Sequence, residues 1–235
     1  MKTYKLLLLL CSVWVFAACG GDDDPTAVLE EKEQAAYDKY VTAEMEEAIQ
    51  KLNIPINRGI DPPAIEGYYR MEAIFKATTN SAENSYLGRR WDTDLKLNFY
   101  DQKDLQVSLH GYEVYADTDV LSVERSGVGT FITGENDKFS IFMEESGVSG
   151  VYTSITLTVI SGEVVRSGNQ ITGIKNILYA FIMKDTGGRP DVIAVGQGRV
   201  FGNDLATVIT QDEFKTLTKS TKSEPISSGL DLSFD

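Results

Sequence analysis

The chain of 235 residues has 35 acidic and 22 basic side chains, which give a formal net charge of -13. A surface this acidic argues against binding to nucleic acid and against electrostatic adhesion to anionic lipid. Two cysteines and one histidine are too few for thiolate or multi-histidine metal sites, and we expect no cofactor.

Residues 1–18 have the organisation of a signal peptide. A positive start with Lys2 and Lys5 precedes a short apolar run, and small residues follow in Ala17-Ala18-Cys19. The apolar run is shorter than the about 20 residues that a bilayer-spanning helix requires. We therefore expect cleavage of this segment, and loss of its two lysines changes the formal charge from -13 to -15.

Small residues directly before a cysteine resemble the lipobox of bacterial lipoproteins, although Phe16 stands where Leu is commonest. The resemblance implies cleavage before Cys19 and attachment of acyl chains, so the membrane is an expected partner through those chains. Each buried methylene contributes about 0.8 kcal/mol, and several chains on one residue give a stable anchor. An ordinary secretory signal with an incidental cysteine is the alternative. Cys11 would leave with the signal peptide, so we expect no disulfide.

Residues 19–27 form an acidic tether in which Asp22, Asp23 and Asp24 follow the cysteine. This run resembles the acidic segment behind the lipidated cysteine of surface-exposed lipoproteins of the Bacteroidota. The resemblance implies an export signal and a cell-envelope location, with the protein anchored to the outer membrane and facing the exterior. A solvated spacer is the alternative.

The longest helical pattern covers 28–52 and is followed by a linker over 53–65, which is rich in Pro. Apolar residues recur at helical spacing, so we expect an amphipathic helix that docks on its own domain. The apolar stripe consists of Tyr37, Val41, Met45, Ala48, Ile49 and Leu52.

Over 66–203 the apolar period changes to strict alternation, in eight runs with short polar connections. Short connections join antiparallel neighbours, and eight such strands close into an up-and-down barrel. The predicted fold is mainly β, an eight-stranded antiparallel β-barrel with an N-terminal amphipathic helix. The run 177–183 is apolar on both faces, so we expect that helix to cover its outer side. A change of apolar parity at Gly111 predicts a bulge there.

The remaining segment, 204–235, is predicted to hold a short C-terminal helix and a loose tail. Thr210-Gln211-Asp212-Glu213 has the form of a capping box and starts that helix. The tail is rich in Ser and only weakly apolar.

Alternation along the strands places a set of apolar side chains on the inner wall of the barrel. We interpret these residues as the lining of a pocket for a small apolar ligand. The alternative is a non-catalytic structural or protein-interaction module whose barrel is filled by its own side chains. The expected lining residues are Tyr69, Met71, Phe75, Leu95, Leu97, Phe99, Leu105, Val107, Leu109, Phe139, Ile141 and Met143.

We predict no enzymatic activity. His110, the single histidine, lies on the polar side of its strand, and no G-x-S-x-G elbow accompanies it. The glycine-rich segments 127–129 and 196–202 lack the spacing of a nucleotide-binding loop. Asp92-Thr93-Asp94 and Asp117-Thr118-Asp119 do not continue into a calcium-binding loop, which favours ordinary turn carboxylates. Paired carboxylates for glycoside hydrolysis stay open, since such pairs approach in space rather than in sequence.

The segment Ile60-Asp61-Pro62-Pro63-Ala64-Ile65-Glu66-Gly67-Tyr68-Tyr69 resembles the Pro-Pro-x-Ile-x-Gly-x-Tyr start of the barrel in uncharacterised lipocalin-like lipoproteins of the Bacteroidota. The resemblance covers the signal, the tether and the barrel, and it implies a lipocalin-like barrel. Gly67-Tyr68-Tyr69 stands where lipocalins have Gly-x-Trp. The resemblance then implies that Arg199 stacks on Tyr69. A tight turn followed by core aromatics explains the same residues without lipocalin descent.

Overall fold

The structure is a computed structural model that describes residues 24–149, 152–189 and 192–218. The predicted signal peptide, Cys19, Asp22, Asp23 and the tail from residue 219 lie outside the described residues.

Eight antiparallel strands form a closed ring in which each strand pairs with its sequence neighbours and the last pairs with the first. The prediction of a mainly β, antiparallel, up-and-down barrel is confirmed at this level. The eighth strand continues past the predicted limit at residue 203. The strands are β1 Gly67–Thr78, β2 Arg90–Lys103, β3 Gln106–Tyr115, β4 Leu121–Glu135, β5 Lys138–Ser149, β6 Tyr152–Ser167, β7 Gln170–Asp185 and β8 Gly198–Val208.

The two ends of the barrel differ. At the closed end, where β1 begins, the hydroxyl of Tyr69 donates a hydrogen bond to the carbonyl oxygen of Ile65 at 2.9 Å, and both residues are fully buried. At the opposite end, which we call the mouth, β1 ends and β2 begins. A short 3-10 helix, Ser81–Tyr86, lies in the connection between these two strands.

The predicted N-terminal helix is divided into α1 Pro25–Tyr40 and α2 Ala43–Lys51. Val41 has an extended backbone, and the side chain of Thr42 accepts a hydrogen bond from the N–H of Met45. A Thr in this position starts a new helix, because its hydroxyl satisfies an N–H that has no partner within the helix. The apolar stripe therefore bends at Val41 and can follow the curved wall of the barrel.

The two helices cover the outer face of β4 to β8, as predicted for the segment 177–183. Along β7, Tyr179 and Phe181 face the interior cluster, whereas Ala180 and Ile182 join an outer cluster with residues of α2. Each fully buried Leu, Ile or Met side chain contributes about 1.5 to 3 kcal/mol relative to an exposed one. The residues of α2 and its flanks in this cluster are Val41, Met45, Ala48, Ile49, Leu52 and Ile54.

A polar contact fixes α1 in place. The buried carboxylate of Glu33 accepts hydrogen bonds from Nε of Arg58 at 3.0 Å and from the hydroxyl of Thr133 at 2.7 Å. The guanidinium of Arg58 also lies over the ring of Tyr37, 4.2 Å from its centroid. Helix, linker and β4 are thus joined by one buried carboxylate.

The predicted C-terminal capping box is confirmed, and α3 Gln211–Lys215 packs on the outside of β1 and β2. The buried ammonium of Lys96 donates hydrogen bonds to the carbonyl oxygens of Glu213 and Thr216, at 3.1 and 2.8 Å. It also lies 3.2 Å from the carboxylate of Asp119. A lysine on β2 therefore holds the C-terminal segment against the barrel.

The bulge predicted at Gly111 is wrong. Gly111 pairs with Leu97 and Arg125 in regular register, and the nearest shift between β3 and β4 lies between Glu113 and Val114. The outward Tyr112 is apolar because it packs against Phe214 of α3, with ring centroids 4.9 Å apart. The inner parity of β3 therefore continues through Gly111 unchanged.

Candidate functional site

The inner wall changes from apolar to polar toward the mouth. Because side chains alternate along a strand, Glu113 faces the interior like Leu109 and Gly111 on β3, and Glu145 faces it like Met143 on β5. We call the polar residues at this depth the mouth cluster, which consists of Thr93, Glu113, Arg125, Glu145, Thr158 and Tyr179.

Arg125 lies at the centre of the mouth cluster, and its side chain is 6% exposed. Its Nη2 donates a hydrogen bond to Oε2 of Glu113 at 3.0 Å, and its Nη1 lies 3.6 Å from Oε2 of Glu145. The hydroxyl of Thr93 donates to the other oxygen of Glu113 at 2.9 Å, and Thr158 donates to Glu145. Both carboxylates are therefore held by the guanidinium and by one hydroxyl each.

Charge in the mouth cluster is unbalanced, since two carboxylates face one guanidinium. Burial lowers the pKa of Arg125, but Glu145, Tyr179 and Glu113 raise it by more, so the pKa lies above its ordinary value. Burial also raises the pKa of Tyr179 well above its ordinary value, with a further contribution from Glu145, so its phenol is neutral. At formal charges the cluster therefore has a net charge of about -1.

Two polar atoms of the mouth cluster have no hydrogen-bond partner within the described residues. They are Nε of Arg125 and the hydroxyl oxygen of Tyr179, and both are buried. A buried polar group without a partner costs about 1 to 3 kcal/mol.

A cavity of about 10 Å³ lies beside the mouth cluster, which is about the space that one water molecule needs. Trp91 lines this cavity and also an open groove of about 510 Å³ at the mouth. Its ring centroid lies 5.4 Å from that of Phe201 and 5.8 Å from that of Phe75. The cavity is lined by Ala73, Trp91, Thr93, Leu95, Glu113, Phe181 and Phe201.

A register shift sets the position of Trp91. Between β1 and β2, Glu72 pairs with Asp94 and Ile74 pairs with Arg90, so β2 holds more residues than β1 over this stretch. Irregular pairing of this kind re-aims side chains at the rims of barrels. The extra residues on β2 include Trp91, which is why this side chain can lie between the interior and the outer groove.

The predicted lining residues do not all meet. All twelve are buried, but Leu105 belongs to the outer cluster beneath the helices, where it accompanies Phe131 and Phe142. The other eleven form part of the interior cluster and pack against one another, namely Tyr69, Met71, Phe75, Leu95, Leu97, Phe99, Val107, Leu109, Phe139, Ile141 and Met143.

Sequence reasoning missed Glu113, Arg125, Glu145 and Trp91. Alternation continued through Gly111 predicts that Glu113 faces the interior, and alternation continued past Met143 predicts the same for Glu145. The bulge expected at Gly111 would turn Glu113 outward, which is why this residue was missed. No signal in the sequence indicates the pairing shift that places Trp91.

Arg199 does not stack on Tyr69. Tyr69 pairs with Val208 at one end of β8, whereas Arg199 lies at the other end, at the mouth. There its guanidinium forms a buried ion pair with Glu83 of the 3-10 helix, with Nη2 and Oε1 2.7 Å apart. The stacking that the lipocalin resemblance implied is therefore wrong, and Arg199 instead fixes the connection between β1 and β2.

The other candidate motifs have structural roles. His110 lies outside the barrel, where its Nε2 is 2.8 Å from Oε1 of Glu124. Asp94 pairs with Arg70 and Arg90, and Asp119 pairs with Arg70 and Lys96. In the described ranges, no three His, Cys, Asp or Glu residues are grouped so that they could hold a metal ion.

Asp24 is the one member of the acidic triplet within the described residues, and it caps α1. Its carboxylate accepts a hydrogen bond from the N–H of Thr26 at 3.0 Å, and Pro25 follows at the first helical position. The third aspartate of the triplet therefore has a local structural role in addition to any role in export.

Comparison with protein-family models, curated proteins and solved structures gives no match to this chain. Of the helices in the described part of the chain, none is both long enough and apolar enough to cross a membrane. Function is therefore argued from the geometry of the site.

Proposed function

We propose that this protein is a lipid-anchored protein of the cell envelope with a lipocalin-like barrel that is filled by its own side chains. In this role the barrel is a rigid, non-catalytic structural or protein-interaction module. The observation that carries the proposal is the interior cavity of about 10 Å³.

Pockets for small molecules usually have volumes of about 300 to 1,000 Å³, far above the about 10 Å³ of this cavity. Side chains of strands that are not neighbours meet across the interior. The guanidinium of Arg125 on β4 lies 4.7 Å from the ring centroid of Phe181 on β7, and the rings of Trp91 on β2 and Phe201 on β8 have centroids 5.4 Å apart. A small apolar ligand inside the barrel would have to displace packed side chains. The geometry therefore favours the filled barrel over the ligand carrier.

The same space argues against the remaining enzymatic alternative. Glu113 and Glu145 are two inward carboxylates, but both are engaged by Arg125. The guanidinium of Arg125 contacts both carboxylates and so occupies the position between them that a glycosidic bond would need. General acid and base carboxylates must flank a bound glycosidic bond, which this arrangement does not allow.

Anchoring at Cys19 would hold the barrel close to the membrane. Four residues, 20–23, separate Cys19 from Asp24, the cap of α1. An extended chain spans at most about 3.6 Å per residue, so the lipidated cysteine lies within about 18 Å of α1. The proposed anchor is therefore a short tether rather than a long flexible stalk.

Interior filling is tested by ligand titration and by one substitution. We expect no saturable binding of fluorescent fatty acids to the purified protein. Leu97→Trp should lower the free energy of unfolding by about 1 to 3 kcal/mol, because overpacking a filled core forces strain. Leu205→Trp, at an exposed position on β8, is the matched control and should change it little. Saturable fatty-acid binding that Leu97→Trp abolishes, without loss of stability, would establish the ligand carrier instead.

Lipidation is tested with Cys19→Ala. This variant should be released from membranes or accumulate with its signal peptide, because acyl chains can no longer be attached. The measurement is membrane fractionation together with the size of the chain on a gel. A pattern identical to that of the wild type would contradict the anchor.

Surface export is tested by neutralising the triplet without disturbing α1. Asp22→Ala and Asp23→Ala are combined with Asp24→Asn, since Asn caps a helix about as well as Asp. We expect retained lipidation but less cleavage by protease added to intact cells. Equal cleavage of both proteins would show that the triplet is only a tether.

A further inference from the structure

The mouth combines an aromatic wall with excess negative charge. Trp91, Phe181 and Phe201 line the cavity together with the carboxylate of Glu113. Aromatic faces attract cations through their quadrupole, most strongly where water is excluded. Phe181 already holds one cation, since the guanidinium of Arg125 lies 4.7 Å from its ring centroid. The surroundings of this cavity are therefore suited to positive charge.

The groove outside the mouth is also aromatic and acidic. The groove beyond Trp91 is lined by the aromatic ring of Tyr115 and by the exposed carboxylates of Asp92 and Asp117. Arg90 also lines this groove, but its guanidinium is paired with Asp94 at 3.0 Å. A groove lined by carboxylates raises the local concentration of cations and repels anions.

We propose that the mouth binds a small organic cation, such as a quaternary ammonium group, against Trp91, Phe201 and Glu113. A quaternary ammonium group has no N–H to donate, so its attraction to Glu113 and to the aromatic rings is that of its positive charge. A bound monocation brings the formal charge of the mouth cluster from about -1 to zero, whereas a carboxylate ligand would add a second uncompensated negative charge.

Entry of the cation requires movement of Trp91. The cavity of about 10 Å³ is too small for a quaternary ammonium group, while the groove that Trp91 also lines offers about 510 Å³. Turning the indole toward the groove joins the two spaces. Binding therefore changes the surroundings of Trp91, and the filled interior below the mouth stays as it is.

Intrinsic fluorescence can report this event directly. The chain contains two tryptophans, Trp14 and Trp91. Trp14→Phe in the full chain leaves Trp91 as the only indole, whether or not the signal peptide is removed. This protein is titrated with choline, with the uncharged analogue in which carbon replaces nitrogen, and with a carboxylate that carries the same tert-butyl group.

We expect a saturable fluorescence change with choline and none with the carboxylate. The uncharged analogue should bind at least about tenfold more weakly than choline. Glu113→Gln preserves the size of the side chain and should weaken choline binding by about tenfold or more. Glu124→Gln, an exposed glutamate on β4, is the matched control and should leave the affinity unchanged.

Glu113→Gln alters a buried ion pair, so circular dichroism must establish that the variant is folded. If it is not, Phe201→Leu tests the aromatic wall instead, and it should weaken binding of choline more than binding of the uncharged analogue. Absence of a saturable change with choline, equal binding of choline and its uncharged analogue, tighter binding of the carboxylate, or unchanged affinity in folded Glu113→Gln would each overturn the proposal.

Discussion

Removal of the guanidinium at the centre of the mouth cluster should be among the most destabilising single changes in the barrel. In Arg125→Met an apolar side chain of similar length replaces the cation, and the carboxylates of Glu113 and Glu145 lose their common partner. The side chain of Arg125 is 6% exposed, and those of the glutamates are 18% and 10% exposed, so water cannot replace the lost contacts fully. Loss of one partner from a buried ion pair costs about 3 to 5 kcal/mol.

The assay is urea unfolding followed by circular dichroism, with the midpoint and the slope fitted separately. An unchanged slope with a lower midpoint shows lost stability rather than a change in the unfolded ensemble. Arg166→Met is the matched control, because Arg166 pairs with Asp137 at 3.2 Å on the surface, where the side chains are 32% and 53% exposed. An exposed pair of this kind contributes about 1 kcal/mol or less.

A triple variant separates charge from packing. Arg125→Met combined with Glu113→Gln and Glu145→Gln removes all three charges and leaves side chains of similar size. Most of the lost stability should return, because replacement of a whole buried ion-pair network is often close to neutral. The reasoning is refuted if Arg125→Met costs no more than Arg166→Met, or if the triple variant is as unstable as the single one.

Three further outcomes follow from groups outside the centre of the mouth cluster. Burial raises the pKa of Tyr69 from 10.0 to about 12. Ionisation of Tyr69 should therefore lower the free energy of unfolding by about 1.4 kcal/mol for each pH unit between those two values. In Tyr69→Phe, urea midpoints measured against pH should lack this decrease. Lys96→Met removes the donor to the carbonyl oxygens of Glu213 and Thr216, so limited proteolysis should cleave the segment after β8 sooner than in the wild type. Burial raises the pKa of Glu83, but hydrogen bonds and charge from Arg199 lower this pKa by more. Ionised Glu83 therefore stabilises the fold above its ordinary pKa of 4.5, and this stabilisation is lost as pH falls through the lower pKa of the folded state. Glu83→Gln should weaken that acid dependence, which urea midpoints measured against pH would show.

Alternation and turn chemistry were sufficient to predict the strands and the outer helical cover. They depend on local sequence, in which the period of apolar residues reports which faces are buried. The division of the N-terminal helix was also readable in principle, since Thr42 is a good cap after the β-branched Val41.

The mouth cluster is less accessible to such reasoning. A charged residue at an inward position interrupts the apolar alternation of its strand, and it is taken for the end of the strand unless its partner is known. Arg125 and Glu113 are partners only because β3 pairs with β4. The outward Tyr112 adds a misleading signal, because its apolar partner, Phe214, lies far along the chain. Contacts between distant segments are what sequence periodicity cannot report.

Closure of the barrel also limits the ways in which other proteins can bind it. Each of the eight strands is paired on both sides over at least part of its length, so no strand is a complete edge strand to which a foreign strand could add along its whole length. The shortest pairing joins β4 and β5, over Phe131–Glu135 and Lys138–Phe142. Copies that meet side by side therefore have little unpaired backbone through which to join, which disfavours edge-to-edge aggregation. Over most of its surface, recognition of this barrel must therefore use side chains, on the helical cover, on the outer wall or at the mouth.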